Sequence, residues 1–197
     1  MTTEVAVLAY PLVDALDLFG AHSVLVKAAE ADAGLRVRLA AKDRRATTSC
    51  GVSLAVGADL ADVADADVVV VPGGRGAASA ATDADLLAAL RAAAERGGTF
   101  YAVCSGVLLI AAAGLAASRR VAVHHGKRAL LRTHPVGEIV TGLVRDGRLC
   151  TVGGDAAPSV KSVDLAFALL ADRAPGAVRA VAERMEIVPG RGQAAPR

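Results

Sequence analysis

The chain has no tryptophan, three phenylalanines and two tyrosines among its 197 residues. Aromatic platforms on which single-stranded nucleic acid could stack are therefore scarce. The densest basic clusters, Lys42/Arg44/Arg45 and Lys127/Arg128/Arg132, carry no interleaved aromatics, and the net charge is only +2. They read as solvated faces, so no nucleic-acid partner is expected. No uninterrupted apolar run approaches the ~18–20 residues of a membrane span, and no membrane partner is expected. Met1-Thr2-Thr3-Glu4-Val5 lacks the basic region and cleavage site of a signal peptide, which makes a cytoplasmic location the expectation. Cys50, Cys104 and Cys150 are odd in number and widely spaced, with no CxxC pair. That argues against a disulfide framework and against a zinc site. His124 and His125 are adjacent, and on a strand they would point to opposite faces. No metal and no cofactor are expected.

What is present is a soluble globular composition, 54% hydrophobic with 21% charged residues interspersed. The length fits one domain over residues 1–188, with a disordered tail over 189–197. Val5 to Tyr10 reads as a strand and Asp14 to Asp32 as a helix capped by Asp14. Leu35 to Ala40 alternates like an edge strand, and Thr47 to Val56 reads as a small hairpin. Asp67 to Val71 holds four successive valines, as in a parallel strand buried on both faces. Thr82 or Asp83 caps a helix through Glu95, and Thr99 to Val103 is the next strand. Arg120 to His124 reads as a short strand, and Glu138 to Val144 pairs with Arg148 to Val152 around Asp146-Gly147. Helices follow over Val160 to Leu170 and Gly176 to Met185. This alternation predicts a three-layer, doubly wound α/β sandwich with a mainly parallel sheet. Ligands in such sheets bind at the carboxyl ends of the strands. Tyr10, Pro72-Gly73-Gly74, Cys104 and His124 all fall there.

Cys104 sits where the Thr99–Val103 strand hands over to an apolar helix. The amides and dipole of a helix N-terminus favour an anion, so the thiol is expected to ionise easily and act as a nucleophile. Gly73 and Gly74 follow the valine strand, and with the Ser105 amide they could form an oxyanion hole. Gly74-Arg75-Gly76 is not a dinucleotide fingerprint. Ser79 stands at its third glycine position, and no acidic residue ends the strand at Val103. Asp17, among apolar neighbours in Leu16-Asp17-Leu18-Phe19-Gly20, is expected to be partly buried and to have a raised pKa, or else to be a surface acid. His124 is either a partner for Cys104 or a rim histidine. His22, His125 and His134 read as bystanders, and Cys50 and Cys150 as structural.

Those segments, Leu16–Gly20, Val71-Pro72-Gly73-Gly74 and Ala102-Val103-Cys104-Ser105-Gly106, together resemble the ThiJ/PfpI superfamily, related to class I glutamine amidotransferase domains. Arg119 to His124 and Val163 to Ala166 extend the match over about residues 4 to 185. The resemblance implies a flavodoxin-like fold, a homodimer, and a cysteine at a nucleophile elbow beside an acid, here Cys104 and Asp17. An aspartate at the acid position is similar to the isonitrile hydratase branch and to sensor domains of some AraC-type regulators. No helix-turn-helix pattern follows residue 185. Ser105 stands where the hydratases usually have threonine, and His125 where they commonly have tryptophan. The loop from Gly153 to Ser162 is several residues longer than in the family. Either Asp155 and Lys161 enter the pocket from it, or Pro158-Ser159 caps the next helix.

The resulting expectation is a cysteine enzyme with a small-molecule substrate. Cys104 attacks a compact electrophilic carbon, Asp17 serves as general acid/base, and Ser105 keeps its hydroxyl beside the nucleophile. Gly73, Gly74 and His124 hold the substrate or its developing anion. Isonitrile hydration to an N-substituted formamide is the first reading. The alternatives are a glyoxalase- or deglycase-like activity, or a non-catalytic ligand-binding or redox-sensing protein.

Overall fold

A computed structural model describes residues 2–156 and 159–188. The first half runs β1 (Thr3–Leu8), α1 (Ala15–Glu30), β2 (Leu35–Ala40), β3 (Arg45–Thr47), β4 (Ser53–Ala55), α2 (Leu60–Ala64), β5 (Val68–Val71), α3 (Ala77–Ala80) and α4 (Ala84–Glu95). The second runs β6 (Thr99–Val103), α5 (Val107–Ala112), β7 (Val121–Ala122), α6 (Arg128–Leu131), β8 (Ile139–Val140), β9 (Gly142–Asp146), β10 (Leu149–Gly153), α7 (Lys161–Arg173) and α8 (Val178–Met185).

Six strands form the central sheet in the order β2-β1-β5-β6-β10-β9, with all pairs parallel except β9–β10. Every valine of β5 is buried, as a strand covered on both faces requires. β2 lies at one edge and alternates exposed and covered positions. Helices α1, α7 and α8 pack together as one outer layer, and α2 to α5 pack as the other. The chain is therefore a three-layer α/β sandwich. None of the described helices is long and apolar enough to cross a membrane.

Asp14 caps α1 by accepting the N–H groups of Leu16 and Asp17, and Asp83 caps α4 in the same way. The strand order switches direction between β1 and β5, where a crevice opens at the carboxyl ends. α7 is fastened beside that crevice. The buried Ser162 hydroxyl donates to the Leu16 carbonyl at 3.0 Å, and Gly20 leaves room for it.

Several expectations need correction. The strand placed at Arg120 to His124 shrinks to Val121–Ala122 and pairs with β8 in a separate two-stranded sheet. It meets the main sheet through a side chain, the Ala122 N–H donating to Thr151 Oγ1 at 2.8 Å. The segment Glu138 to Val144 consequently divides into β8, which pairs with β7, and β9, which pairs with β10. Helix α7 starts one residue after Val160, its N-cap, with no side chain capping it. Ser159 instead bonds the Asp164 carboxylate, and Pro158 lies outside the described residues, as does the tail from Pro189.

Candidate active site

The carboxyl ends of β1, β5 and β6 each deliver one part of the site. At the end of β6, Val103 is still extended, and Cys104 turns abruptly to φ +59° before a 3-10 turn leads into α5. A left-handed non-glycine residue is strained unless its surroundings hold it. Three hydrogen bonds supply that hold. The Cys104 carbonyl accepts the His124 N–H at 3.2 Å, and the Ser105 hydroxyl is clasped to Gly74, accepting its N–H at 2.9 Å and donating to its carbonyl at 3.0 Å. The thiol is half-buried.

Asp17 stands in the first turn of α1, half-buried, with Oδ2 accepting the Gly73 N–H at 3.2 Å. The carboxylate lies beside the Cys104 thiol, and each group feels the other electrostatically. Gly73 makes this meeting possible. A Cβ there would lie 2.7 Å from Asp17 Oδ2, 2.8 Å from Cys104 Cβ and 2.9 Å from the Ser105 nitrogen. Gly74 is needed for a different reason, with φ at +148° and its Cα packed against the backbone of Leu12 and Val13.

Burial, reinforced by the Asp14 charge, pushes the Asp17 carboxyl up to about 6. Burial also pushes the Cys104 thiol up to about 11, with the Asp17 charge adding to it and the Ser105 N–H opposing it. This corrects the expectation of an easily ionised thiol. The helix end beside Cys104 is short and partly covered, and desolvation with a neighbouring carboxylate outweighs it. At neutral pH the proton sits on sulfur and Asp17 is mostly ionised. Chemically, the pair offers a thiol and, beside it, a carboxylate able to take its proton.

The expected oxyanion hole is corrected too. The Gly73 N–H is occupied by Asp17 and the Gly74 N–H by Ser105. The amide beside the sulfur is that of Ser105, which is itself 3% exposed. The Ser105 hydroxyl, tied to Gly74 in both directions, positions the elbow.

His124 does not pair with the thiol. Its Nδ1 accepts the Gly126 N–H at 3.1 Å as the cap of a 3-10 turn. The neutral ring must then carry its proton on Nε2, and partial burial with nearby positive charge depresses its pKa. Because residues 124 and 125 begin a turn and not a strand, His125 does not face away. Its ring lies 4.2 Å from that of His124, centroid to centroid, tilted by 31°.

Two hollows meet over Cys104 and His124. One, an open cleft of about 380 Å³, is lined further by Asp14, Asp17, Gly74, Arg75, Ser105 and Lys127. The other, about 270 Å³, is lined by His125, Gly153 to Ala156 and Lys161. The long loop therefore does bring Asp155 and Lys161 to the site. Sequence reasoning missed Arg75, Lys127 and the placement of His125. Arg75, between two glycines past a strand end, carried a usable signal, whereas Lys127 was read as part of a solvated cluster. Cys150 is buried in β10, and Cys50 is exposed on the hairpin between β3 and β4. Among the described residues no three His, Cys, Asp or Glu side chains converge as metal ligands.

A doubly wound sheet with a cysteine elbow and an acid from the first helix defines a class of proteins, and the comparisons agree. Residues 3–164 match the DJ-1/PfpI family, and the chain belongs to it. It is 32% identical over 170 residues to the isonitrile hydratase of Pseudomonas putida, covering 86% of this chain and 71% of that protein. Among solved structures, Drosophila melanogaster DJ-1beta superposes with a TM-score of 0.82 at 23% identity, covering 95% of this chain and all of that one. A ThiJ/PfpI family protein from Pseudomonas syringae gives 0.83 at 24% identity, covering all of this chain and 80% of that one. At those identities the two structures speak for the fold.

Proposed function

We propose that the protein is a cysteine-dependent hydratase that converts an isonitrile to an N-substituted formamide. The observation that carries the reading is the Asp17–Cys104 pair, a thiol beside a carboxylate whose burial lifts it to about 6. The likeness to an isonitrile hydratase supports the choice of electrophile.

The isonitrile carbon carries a lone pair and is attacked by sulfur as a proton arrives. Asp17 takes the thiol proton while Cys104 sulfur bonds the carbon, then returns that proton to the same carbon. The product is a thioformimidate on Cys104. Asp17 next takes a proton from water as its oxygen adds to the carbon, and delivers it to the nitrogen. The carbon–sulfur bond then breaks, the hydroxyl proton goes back to sulfur, and the N-substituted formamide leaves. One water is consumed and no redox change occurs. Charge that builds beside sulfur meets the Ser105 N–H and the Nε2–H of His124 at the rim.

The test is a panel of isonitriles and 2-oxoaldehydes offered to purified protein, with products read by mass spectrometry. Formamide from the isonitriles, lost in Cys104→Ala, is the expected result. Consumption of the 2-oxoaldehydes with no formamide would replace this reading by a glyoxalase-like one.

A further inference from the structure

The second hollow holds a cation that the hydration chemistry does not use. Lys161 opens α7 and lines this hollow together with Cys104, His124 and His125. Its charge is felt at both Asp17 and His124. Elsewhere on the surface Arg36, Lys42 and Arg120 each pair with a carboxylate. Lys161 instead donates to the backbone carbonyl of Asp155, a neutral partner, and among the described residues no carboxylate forms an ion pair with it. The α7 N-cap behind it, Val160, offers no side-chain cap. The Ser162 bond to Leu16 fixes this end beside the first turn of α1, which carries Asp17. The neutral imidazole of His124 presents a donor at Nε2. Asp155 is the acidic residue lining this hollow, and it is exposed.

We propose that this hollow receives a carboxylate on the substrate, with Lys161 as its counter-charge, so that the electrophile is a small isonitrile acid. The proposal rests on Cys104 being the reacting atom. It names Lys161 as a specificity-determining residue. A hollow of about 270 Å³ accommodates a few carbons between the reacting carbon and the carboxylate.

The experiment separates this proposal from the hydratase reading by using alkylation, which needs no turnover. Iodoacetate and iodoacetamide are nearly the same size and differ in one negative charge. Their rates at Cys104 are measured by mass spectrometry at pH 8, and their ratio is referred to N-acetylcysteine. Cys50 in the same sample serves as an internal control. Wild-type Cys104 is expected to favour iodoacetate about tenfold relative to the free thiol. Lys161→Met abolishes that preference, Lys161→Arg keeps it and Lys161→Glu reverses it. A wild-type ratio equal to that of N-acetylcysteine, or a preference that survives in Lys161→Met, overturns the proposal. In parallel, isocyanoacetate and its methyl ester are offered as substrates. Hydration of neither overturns the hydratase reading and leaves the alkylation result to decide the carboxylate site. Hydration of the ester with higher kcat/KM than the acid overturns the carboxylate site alone.

Discussion

Two thiols, both on turns, differ in almost every property that governs cysteine chemistry. Cys50 is exposed on the β3–β4 hairpin, and the Thr48 hydroxyl at 3.3 Å, followed by the Val52 N–H, lowers its pKa. Cys104 is half-buried, and burial with Asp17 raises its pKa to about 11. By acidity alone Cys50 is the more reactive group. Of the two, only Cys104 has beside it a carboxyl whose pKa of about 6 lies near neutrality, and a cleft opens over it. An acidic thiol reacts with whatever arrives, whereas in the proposed mechanism the Cys104 thiol ionises only as Asp17 takes its proton, which couples ionisation to attack.

The largest effects should fall on the Asp17–Cys104 pair. Cys104→Ala removes the nucleophile and is expected to eliminate formamide production. Asp17→Asn is expected to lower kcat/KM by about 10³-fold, within the range for general acid/base groups. Cys50→Ser should leave kcat/KM within about twofold, because an exposed thiol outside the cleft has no part in it. In the wild type, kcat/KM should fall as pH drops through about 6, where Asp17 gains a proton and can no longer accept one. Steady-state kinetics across pH 5 to 9 check all three variants, and turnover retained in Cys104→Ala would sink the assignment.

Gly73→Ala probes the geometry and not the chemistry. The new methyl group meets Asp17 Oδ2, Cys104 Cβ and the Ser105 nitrogen all within 3.0 Å, so carboxyl and sulfur must move apart. A displacement approaching 1 Å costs about 10²-fold in rate. The loss should appear in kcat with circular dichroism unchanged, and Cys50 should alkylate as in the wild type.

The frame of the molecule was legible in its residues, because burial patterns announce themselves. The four valines of β5, the aspartate caps of α1 and α4 and the alternation in β2 each follow from local rules, and together they place Cys104 and Gly73 at neighbouring strand ends. What could not be read was the environment those rules create. The helix end beside Cys104 does not make its thiol acidic, because the amount of water excluded there and the distance to Asp17 are properties of the packed structure. Gly74 offered an amide on paper, but Ser105, thirty-one residues away, already holds it. His125 was misplaced because period-two reasoning assumed a strand, where the Gly126 amide is captured by the His124 ring and a turn begins.

The two thiols can also be compared without any substrate. At pH 7 with iodoacetamide, Cys50 should alkylate about tenfold faster than Cys104. The gap in thiolate content is larger than that, but the more basic thiolate is the better nucleophile and recovers part of the difference. Thr48→Val should slow Cys50 and leave Cys104 untouched, as read by peptide mass spectrometry. Faster labelling of Cys104 would mean that its thiol is already ionised, and the base role of Asp17 would fall.

The smallest effect is on stability. A carboxyl raised to about 6 from 3.8 binds its proton more tightly in the folded state than in the unfolded chain. Its favourable contribution is complete below about pH 4 and is lost as pH rises through about 6, so ionised Asp17 destabilises the fold at neutral pH. Asp17→Asn removes that charge while keeping an oxygen to accept the Gly73 N–H. Discounted for its partial exposure, the gain is about 1 kcal/mol at pH 8, or about 2–4 °C in Tm. At pH 4 the difference should vanish. The catalytically impaired variant would thus be the more stable protein above pH 6 and no more stable below pH 4. A calorimetric melt showing the same offset at both pH values would mean that Asp17 is not strained by burial, and so has no raised pKa with which to serve Cys104.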